Sequence, residues 1–352
     1  MVSVSLPISK SIANRRLILQ ALHGDPLMGV SDVSFPEDVR VMHNALRAIQ
    51  TADGGTLALD TGNCGTAMRF LTAFCAQLSN RPMTFVLDGN ERMRQRPIGQ
   101  EVEMLRQAGA DIGYLGEEGF PPLRIAGRKL KKQKIHTDGE PLQSSQFVSA
   151  LLLIGIEVET DEQSPYISMT RRIIGRYGCS RSCDTIERDW SSAAFWYEWV
   201  ALHGGEIFLE DLQPSVLQGD ECVKDLFAPL GVKTAVVSEP QLKGVVLTRN
   251  RSVRLPDKYA VDFSACPDLY PAVALTCERL GVCLQAAGTE RLGWKESDRL
   301  RSVGLHLTCH DHRMAMALMA ADMDCDDKEC IGKSYPVFLS QLQIVREQSE
   351  SI

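Results

Sequence analysis

The segment Pro7-Ile-Ser-Lys-Ser-Ile-Ala-Asn-Arg-Arg-Leu-Ile-Leu-Gln-Ala-Leu22 begins with small and polar residues and continues as an apolar helical run. The apolar positions Ile12, Leu19 and Leu22 and the following Gly24 predict a capped amphipathic helix. The same small or polar start before an apolar run returns at Gly62–Arg69, Gln143–Phe147, Asp189–Ala193, Asp262–Asp268 and Asp311–Met314. This repetition predicts a fold in which one structural unit occurs six times.

Helices of a second kind and short strands lie between these starts. Pro97 opens one such helix and Gly109 ends it, while Thr84–Leu87 and Val282–Leu284 have the composition of strands. The chain therefore predicts six copies of strand–helix–strand–helix, three before about residue 187 and three after it. We expect an α/β fold with two pseudo-threefold domains, one at residues 10–187 and the other at residues 1–9 plus 188–352.

Length and composition exclude several classes of protein. The 352 residues predict roughly two domains, and 44% hydrophobic with 24% charged residues exclude a disordered or fibrous chain. The net charge of −7 argues against nucleic acid or an anionic membrane as partner. The first residues lack the features of a secretory signal, and the eleven cysteines, an odd number, indicate free thiols. We therefore expect a cytoplasmic protein.

Basic and small residues at helix starts are the first candidates for a binding site. Helix N-termini present free N–H groups and the positive end of the helix dipole, so they bind phosphate or carboxylate groups. Such residues occur at three starts, namely Lys10, Ser11 and Arg15, then Asn63, Gly65, Thr66 and Arg69, then Ser144, Ser145 and Gln146. Any one of these starts alone is more often an ordinary helix cap, but their number favours an anionic ligand. Motifs for nucleotide binding, GxGxxG after a strand and GxxxxGK[ST], do not occur.

The segment Lys295-Glu-Ser-Asp-Arg299 is a candidate for proton transfer, because the Glu296 carboxylate is flanked by cations. The alternative is a solvated charged helix face. Cys309-His-Asp-His312 resembles a metal-binding string, but its two histidines are only two positions apart and Arg313 follows. Cys325 and Cys330 lack the paired spacing of a zinc site. We therefore expect neither a metal ion nor a cofactor.

Taken in order along the chain, these motifs resemble those of the 3-phosphoshikimate 1-carboxyvinyltransferase (EPSP synthase) family. The resemblance is carried by Leu6–Ser11, Asn63–Arg69, Glu91–Gly99, Gly119–Ile125, Ser144–Phe147, Leu217–Asp220, Lys295–Arg299, Asp311–Met316 and Lys333–Pro336. It implies two domains, each of three βαββαβ units, with the active site in a cleft that closes between them. It also implies transfer of the enolpyruvyl group of phosphoenolpyruvate to the 5-hydroxyl of shikimate 3-phosphate in aromatic amino-acid biosynthesis.

The resemblance implies a role for each site residue. Residues that hold shikimate 3-phosphate would be Lys10, Ser11, Arg15, Ser144, Ser145 and Gln146. Residues around phosphoenolpyruvate would be Lys10, Gly65, Arg96, Arg299, Arg313 and Lys333. Asp262 resembles the base that acts on the 5-hydroxyl, with Lys295 close to the same substrate, and Glu296 resembles the acid that protonates the methylene carbon. We expect a monomer that needs these two small substrates and no other partner.

Two intervals are shorter than the family pattern. Tyr166 is followed by Glu187 after 21 positions and Arg299 by Asp311 after 12, where the family carries further strands. This leaves open a catalytically impaired relative that binds anions only. A second alternative is enolpyruvyl transfer to UDP-N-acetylglucosamine, although the chain has Arg92-Met-Arg-Gln-Arg96 where that enzyme usually carries a reactive cysteine.

Overall fold

The computed structural model describes residues 1–30, 35–80, 82–137, 141–179, 185–239 and 241–350. The chain forms two compact units. We call Lys10–Ser31 with Asp38–Asp184 the N-terminal unit, and Met1–Ser9 with Asp32–Glu37 and Thr185–Ile352 the C-terminal unit. The domain bounds predicted from the sequence differ from these units at residues 32–37 and 185–187.

The described residues form twelve α-helices. In the N-terminal half of the chain they are α1 (Lys10–His23), α2 (Glu37–Thr51), α3 (Gly65–Gln77), α4 (Gly99–Gln107), α5 (Ser145–Leu153) and α6 (Pro165–Cys179). In the C-terminal half they are α7 (Trp190–His203), α8 (Val223–Phe227), α9 (Tyr270–Leu280), α10 (Arg299–Leu305), α11 (His312–Ala320) and α12 (Phe338–Glu350). Polar caps define several starts, as at α7, where the Asp189 carboxylate accepts a hydrogen bond from the Ser192 N–H at 3.1 Å.

The strands follow the same order in both units. They are β1 (Val2–Ser5), β2 (Gly55–Asp60), β3 (Met83–Asp88), β4 (Asp111–Tyr114), β5 (Leu123–Ala126), β6 (Ile135–His136), β7 (Val158–Glu159), β8 (Glu206–Glu210), β9 (Val232–Glu239), β10 (Leu242–Arg249), β11 (Lys258–Asp262) and β12 (Cys283–Ala287). Each unit contains one four-stranded sheet, in the order β2-β3-β5-β4 or β1-β8-β10-β9, and one parallel two-stranded sheet, β6-β7 or β11-β12. In both four-stranded sheets the first pair is parallel and the others are antiparallel.

Three central helices form the core of each unit. In the N-terminal unit α1, α3 and α5 pack against one another, and in the C-terminal unit α7, α9 and α11 do the same. These helices are apolar on most of their surface, as expected for helices surrounded by protein, and every residue of α7 from Trp190 to Ala201 is buried. The arrangement confirms the predicted α/β class and agrees with three repeats per unit.

The full set of strands occurs in one repeat of each unit. After α4 and after α8 the chain forms two antiparallel strands, but after α10 only residues 306–311 separate α10 from α11. The equivalent point after α6 falls at residues 180–184, which lie outside the described residues. In the described residues the helix pairs α1–α2 and α11–α12 have no sheet of their own. Among the described residues the predicted βαββαβ pattern is therefore complete once in each unit, and the six residues between α10 and α11 are too few for two more strands.

No helix among the described residues combines the length and the apolar character needed to cross a lipid bilayer.

Candidate active site

The N-termini of the three central helices meet in the C-terminal unit. Arg313, near the start of α11, lies 2.9 Å from the carboxylate of Asp268, which directly precedes α9. Arg313 also interacts electrostatically with Asp189 at the start of α7. The repeat therefore brings together polar residues that are far apart in the sequence.

Two carboxylates at this point are surrounded by four cations. Asp268 contacts Lys295 at 3.3 Å, Arg299 at 2.7 Å and Arg313 at 2.9 Å. Glu296 contacts Arg299 at 3.0 Å and Lys333 at 3.3 Å. We call these six residues, Asp268, Lys295, Glu296, Arg299, Arg313 and Lys333, the cation cluster. The sequence assigned six residues of this unit to the site, and the structure brings together five of them, all except Asp262.

Asp311 supports the cation cluster through hydrogen bonds to Arg299 and Arg313. Its fully buried carboxylate accepts hydrogen bonds from Arg299 Nε at 2.8 Å and from Ser297 Oγ at 3.3 Å. The other oxygen accepts the backbone N–H of Arg313 at 2.9 Å and so caps α11. One buried acid therefore orients the Arg299 guanidinium and caps the helix that carries Arg313.

Asp262 is not part of the cation cluster. It ends β11 with an exposed side chain, and one of its oxygens accepts hydrogen bonds from Ser264 N and Ser264 Oγ at 2.9 and 2.6 Å. The expectation that Asp262 is the base therefore does not fit its position. The acid that contacts the cluster is Asp268, six residues later in the same motif, because the chain between β11 and α9 carries it to the helix start.

The charges of the cation cluster set the protonation of its acid. Burial alone raises the pKa of Asp268, but Arg313, Lys295 and Arg299 outweigh that effect and hold the pKa well below its usual range. Asp268 is therefore ionised at neutral pH. Burial lowers the pKa of Lys295, an effect that Asp268 partly offsets.

In the N-terminal unit, Asp38 links two helix starts. Its carboxylate lies 2.8 Å from Lys10 Nζ, and both side chains are largely buried. Its backbone carbonyl accepts the thiol of Cys64 at 3.8 Å, and Cys64 caps α3 directly before Gly65. Lys10 at the start of α1 is therefore tied to the start of α3.

Gly65 and Arg96 are in direct contact. A Cβ atom added to Gly65 would lie 2.5 Å from Arg96 Nη2, and Arg96 donates from Nη1 to the Asn63 carbonyl at 3.4 Å. The buried guanidinium of Arg96 thus covers the first turn of α3. A side chain at position 65 would have to displace this guanidinium.

Replacing Gly65 with alanine should displace Arg96 and raise KM for phosphoenolpyruvate by about tenfold, which corresponds to about 1.4 kcal/mol. KM for shikimate 3-phosphate should change much less. Steady-state kinetics with each substrate varied in turn measures both values. Gly113→Ala is the matched control, because no atom lies within 4 Å of the added Cβ there. An unchanged KM for phosphoenolpyruvate in Gly65→Ala would show that Arg96 does not bind that substrate.

The third helix start is joined to α3 by a side-chain hydrogen bond. Ser144 caps α5 by accepting the Gln146 N–H at 3.2 Å, and Ser145 is the first residue of that helix. Gln146 Nε2 donates to Thr66 Oγ1 at 3.0 Å. The predicted residues of the second and third starts therefore form one connected group.

The side chain of Arg15, in the second turn of α1, is almost fully buried. It donates to Thr170 Oγ1 at 2.7 Å, to the Ser11 carbonyl at 2.8 Å and to Ser149 Oγ at 3.3 Å. Its guanidinium carbon lies 5.2 Å from the centre of the Phe70 ring, and burial lowers its pKa to about 10. Arg15 thus supports the helix starts from within the unit.

The histidines of the string Cys309–His312 lie in different surroundings. His310 is 85% exposed and pairs with Asp327 at 2.6 Å, whereas His312 is fully buried. Within the described ranges, no three His, Cys, Asp or Glu side chains are grouped as a metal ion would require.

Comparison with known proteins finds relatives that match almost the whole chain. The sequence profile of the family described as EPSP synthase (3-phosphoshikimate 1-carboxyvinyltransferase) matches residues 2–182 and 154–307. The 3-phosphoshikimate 1-carboxyvinyltransferase of Bacteroides fragilis strain YCH46 is 33% identical over an alignment that covers 97% of this chain and 94% of that protein. The protein of the same name from Haemophilus influenzae is 29% identical over 97% of this chain and 95% of that protein.

A solved structure shares the fold. EPSP synthase from Acinetobacter baumannii superposes with a TM-score of 0.67 over 97% of this chain and 95% of that chain, at 18% sequence identity. The family profile covers most of the chain, the relatives match it almost end to end, and the resemblance found in the motifs is confirmed. This chain therefore belongs to the EPSP synthase family.

Proposed function

We propose that the protein transfers the enolpyruvyl group of phosphoenolpyruvate to the 5-hydroxyl of shikimate 3-phosphate and releases phosphate. The observation that carries the proposal is the cation cluster, in which four cations contact two acids at the start of the central helices. Both substrates are polyanions, so a protein of net charge −7 needs such a local concentration of positive charge to bind them.

The cations of the cluster are already held in place by internal acids. We propose that the phosphate and carboxylate of phosphoenolpyruvate take over contacts that Arg299, Arg313 and Lys333 make with Asp268 and Glu296. Asp311, which is buried beneath Arg299, keeps that guanidinium oriented during the exchange. Preorganised cations of this kind also stabilise the phosphate as it leaves.

The helix starts of the N-terminal unit supply the remaining binding groups. Hydroxyl, amide and cationic side chains there suit a phosphorylated polyol, and we assign to shikimate 3-phosphate Lys10, Ser11, Arg15, Ser144, Ser145 and Gln146. Gly65, through its backbone N–H, and Arg96 would bind phosphoenolpyruvate together with Lys10. The contact between Gly65 and Arg96 supports this assignment.

The proton transfers require one base and one acid. We propose that Asp268 accepts the proton of the 5-hydroxyl while that oxygen bonds to C2 of phosphoenolpyruvate, and that Glu296 gives a proton to C3. The Glu296 carboxylate then takes a proton back from the new methyl group while the C2–O bond to phosphate breaks, which restores the double bond and releases phosphate. Asp268 is ionised before substrate binds, and its basicity would rise once Arg299 and Arg313 contact phosphoenolpyruvate in its place.

Phosphate release with two acceptors tests the proposal. Release should require both phosphoenolpyruvate and shikimate 3-phosphate, and UDP-N-acetylglucosamine should not replace the latter. Calorimetric titration of shikimate 3-phosphate in parallel identifies the alternative of an impaired relative. Binding without phosphate release would contradict the proposal, as would release with the UDP-sugar instead.

A further inference from the structure

Arg69 is a buried cation of the N-terminal unit that the function proposed above does not use. It lies in the second turn of α3, four residues after Gly65, and is 3% exposed. A guanidinium is costly to bury unless its N–H groups find acceptors, so the acceptors of a buried arginine show which parts of the chain it holds together.

Arg69 donates hydrogen bonds to two separate segments of the chain. Its Nη2 donates to the Pro97 carbonyl oxygen at 2.9 Å. Its Nη1 lies 3.3 Å from the Met93 sulfur and 3.5 Å from the carbonyl oxygen of Gly65, the first residue of α3. The guanidinium therefore joins the turn formed by residues 93–97 to the first turn of α3. A lysine could not make this set of contacts, because its donors share one nitrogen.

Arg96 lies in the turn that Arg69 holds. The backbone N–H of Arg96 closes this turn by donating to the Met93 carbonyl at 3.0 Å, and Pro97 follows directly in the sequence. The guanidinium of Arg96 covers Gly65. Arg69 thus contacts a residue on each side of Arg96 in the sequence, and also the residue that Arg96 covers.

We propose that Arg69 is a positioning residue that keeps the Arg96 guanidinium over the first turn of α3, where it binds phosphoenolpyruvate. The proposal rests on the role proposed above for Arg96. Without the hydrogen bond to Pro97, the turn can move away from α3 and take Arg96 with it. The substrate then has to order that side chain when it binds, which weakens binding. The loss falls on phosphoenolpyruvate, because shikimate 3-phosphate is assigned to other residues.

The test measures KM for each substrate in Arg69→Met, which keeps a long unbranched side chain but donates no hydrogen bond. We expect KM for phosphoenolpyruvate to rise about tenfold and KM for shikimate 3-phosphate to change by less than about twofold. Arg106→Met is the matched control in the same unit, where Nε and Nη2 of Arg106 donate to the Ile112 carbonyl at 3.2 and 2.8 Å. This control should leave both KM values close to those of the wild type.

A double-mutant cycle with Arg96→Ala shows whether Arg69 acts through Arg96. If it does, Arg69→Met should raise KM for phosphoenolpyruvate by less than about twofold in the Arg96→Ala background. An increase that came only from the lost charge of Arg69, or from a general disturbance of α3, would persist without Arg96. An effect as large in that background as in the wild type would therefore overturn the proposal, as would an unchanged KM in Arg69→Met.

Failure of the proposed function gives a different result. If the wild-type protein shows no turnover with the two substrates, that function has failed, and the four proteins of the cycle are compared by Kd for inorganic phosphate in calorimetry. Additive losses of affinity would again decide against Arg69. If Arg69→Met does not fold, Arg69→Lys replaces it. The lysine keeps the charge and can reach one acceptor, so KM should rise about threefold, and only where Arg96 is present.

Discussion

Replacing Glu296 with glutamine should lower kcat by about 10²–10⁴ and change KM for either substrate by no more than about threefold. Glutamine retains the shape of the side chain and an oxygen that can accept from Lys333 or Arg299, as Glu296 does. It cannot give a proton to carbon. The loss should therefore fall on turnover, as steady-state kinetics with both substrates measures.

The competing interpretation is that Glu296 serves only as a counter-ion for Arg299 and Lys333. In that case the variant would unfold at a lower temperature but turn over at a near-normal rate. Thermal unfolding followed by circular dichroism, measured beside kcat, separates the two. A folded variant with near-normal kcat would remove Glu296 from the chemistry.

Replacing Asp268 with asparagine should have an effect on kcat of similar size, about 10²–10⁴, because it removes the base. It should also alter KM for phosphoenolpyruvate, since Lys295, Arg299 and Arg313 lose a shared counter-ion. Asp262→Asn is the matched control, as it makes the same change at the exposed acid that ends β11. We expect Asp262→Asn to retain nearly wild-type kcat.

The pair of aspartate variants decides between the two acids. If Asp262→Asn lost activity while Asp268→Asn kept it, the position of Asp268 in the cation cluster would have no catalytic meaning. The folded fraction of each variant must also be measured. Without the Asp268 carboxylate, the three cations that contact it lie close together without that counter-ion, and their repulsion can unfold the protein.

The repeated helix starts could be recognised in the sequence because each combines a polar cap with a long apolar run. The assignment of Glu296, Arg299 and Arg313 to one site came from the resemblance of their motifs to the family. The packing of α7, α9 and α11 is what brings the helix starts together in the structure. Local patterns did not distinguish Asp262 from Asp268, since both lie in one motif of seven residues. The difference lies in the course of the chain between β11 and α9, which brings Asp268, but not Asp262, to the cations.

The residues that were hardest to predict from the sequence are those that hold another site residue in position. Asp38 pairs with Lys10 across 28 positions, and Asp311 orients Arg299 across 12. Neither contact has a sequence signal of its own, because a single aspartate at a helix start is most often an ordinary cap. The interval between Arg299 and Asp311, by contrast, was visibly too short for two strands, and the structure has none there.

The most direct test of this account is turnover of both substrates by the wild-type protein in deuterium oxide. Glu296 is 11% exposed, so its acidic proton can exchange with solvent before it is delivered to C3 of phosphoenolpyruvate. Proton NMR should then detect deuterium in the vinyl group of the product as phosphate is released. Phosphate release with a product that carries no deuterium at C3 would contradict the assignment of protonation to this cluster.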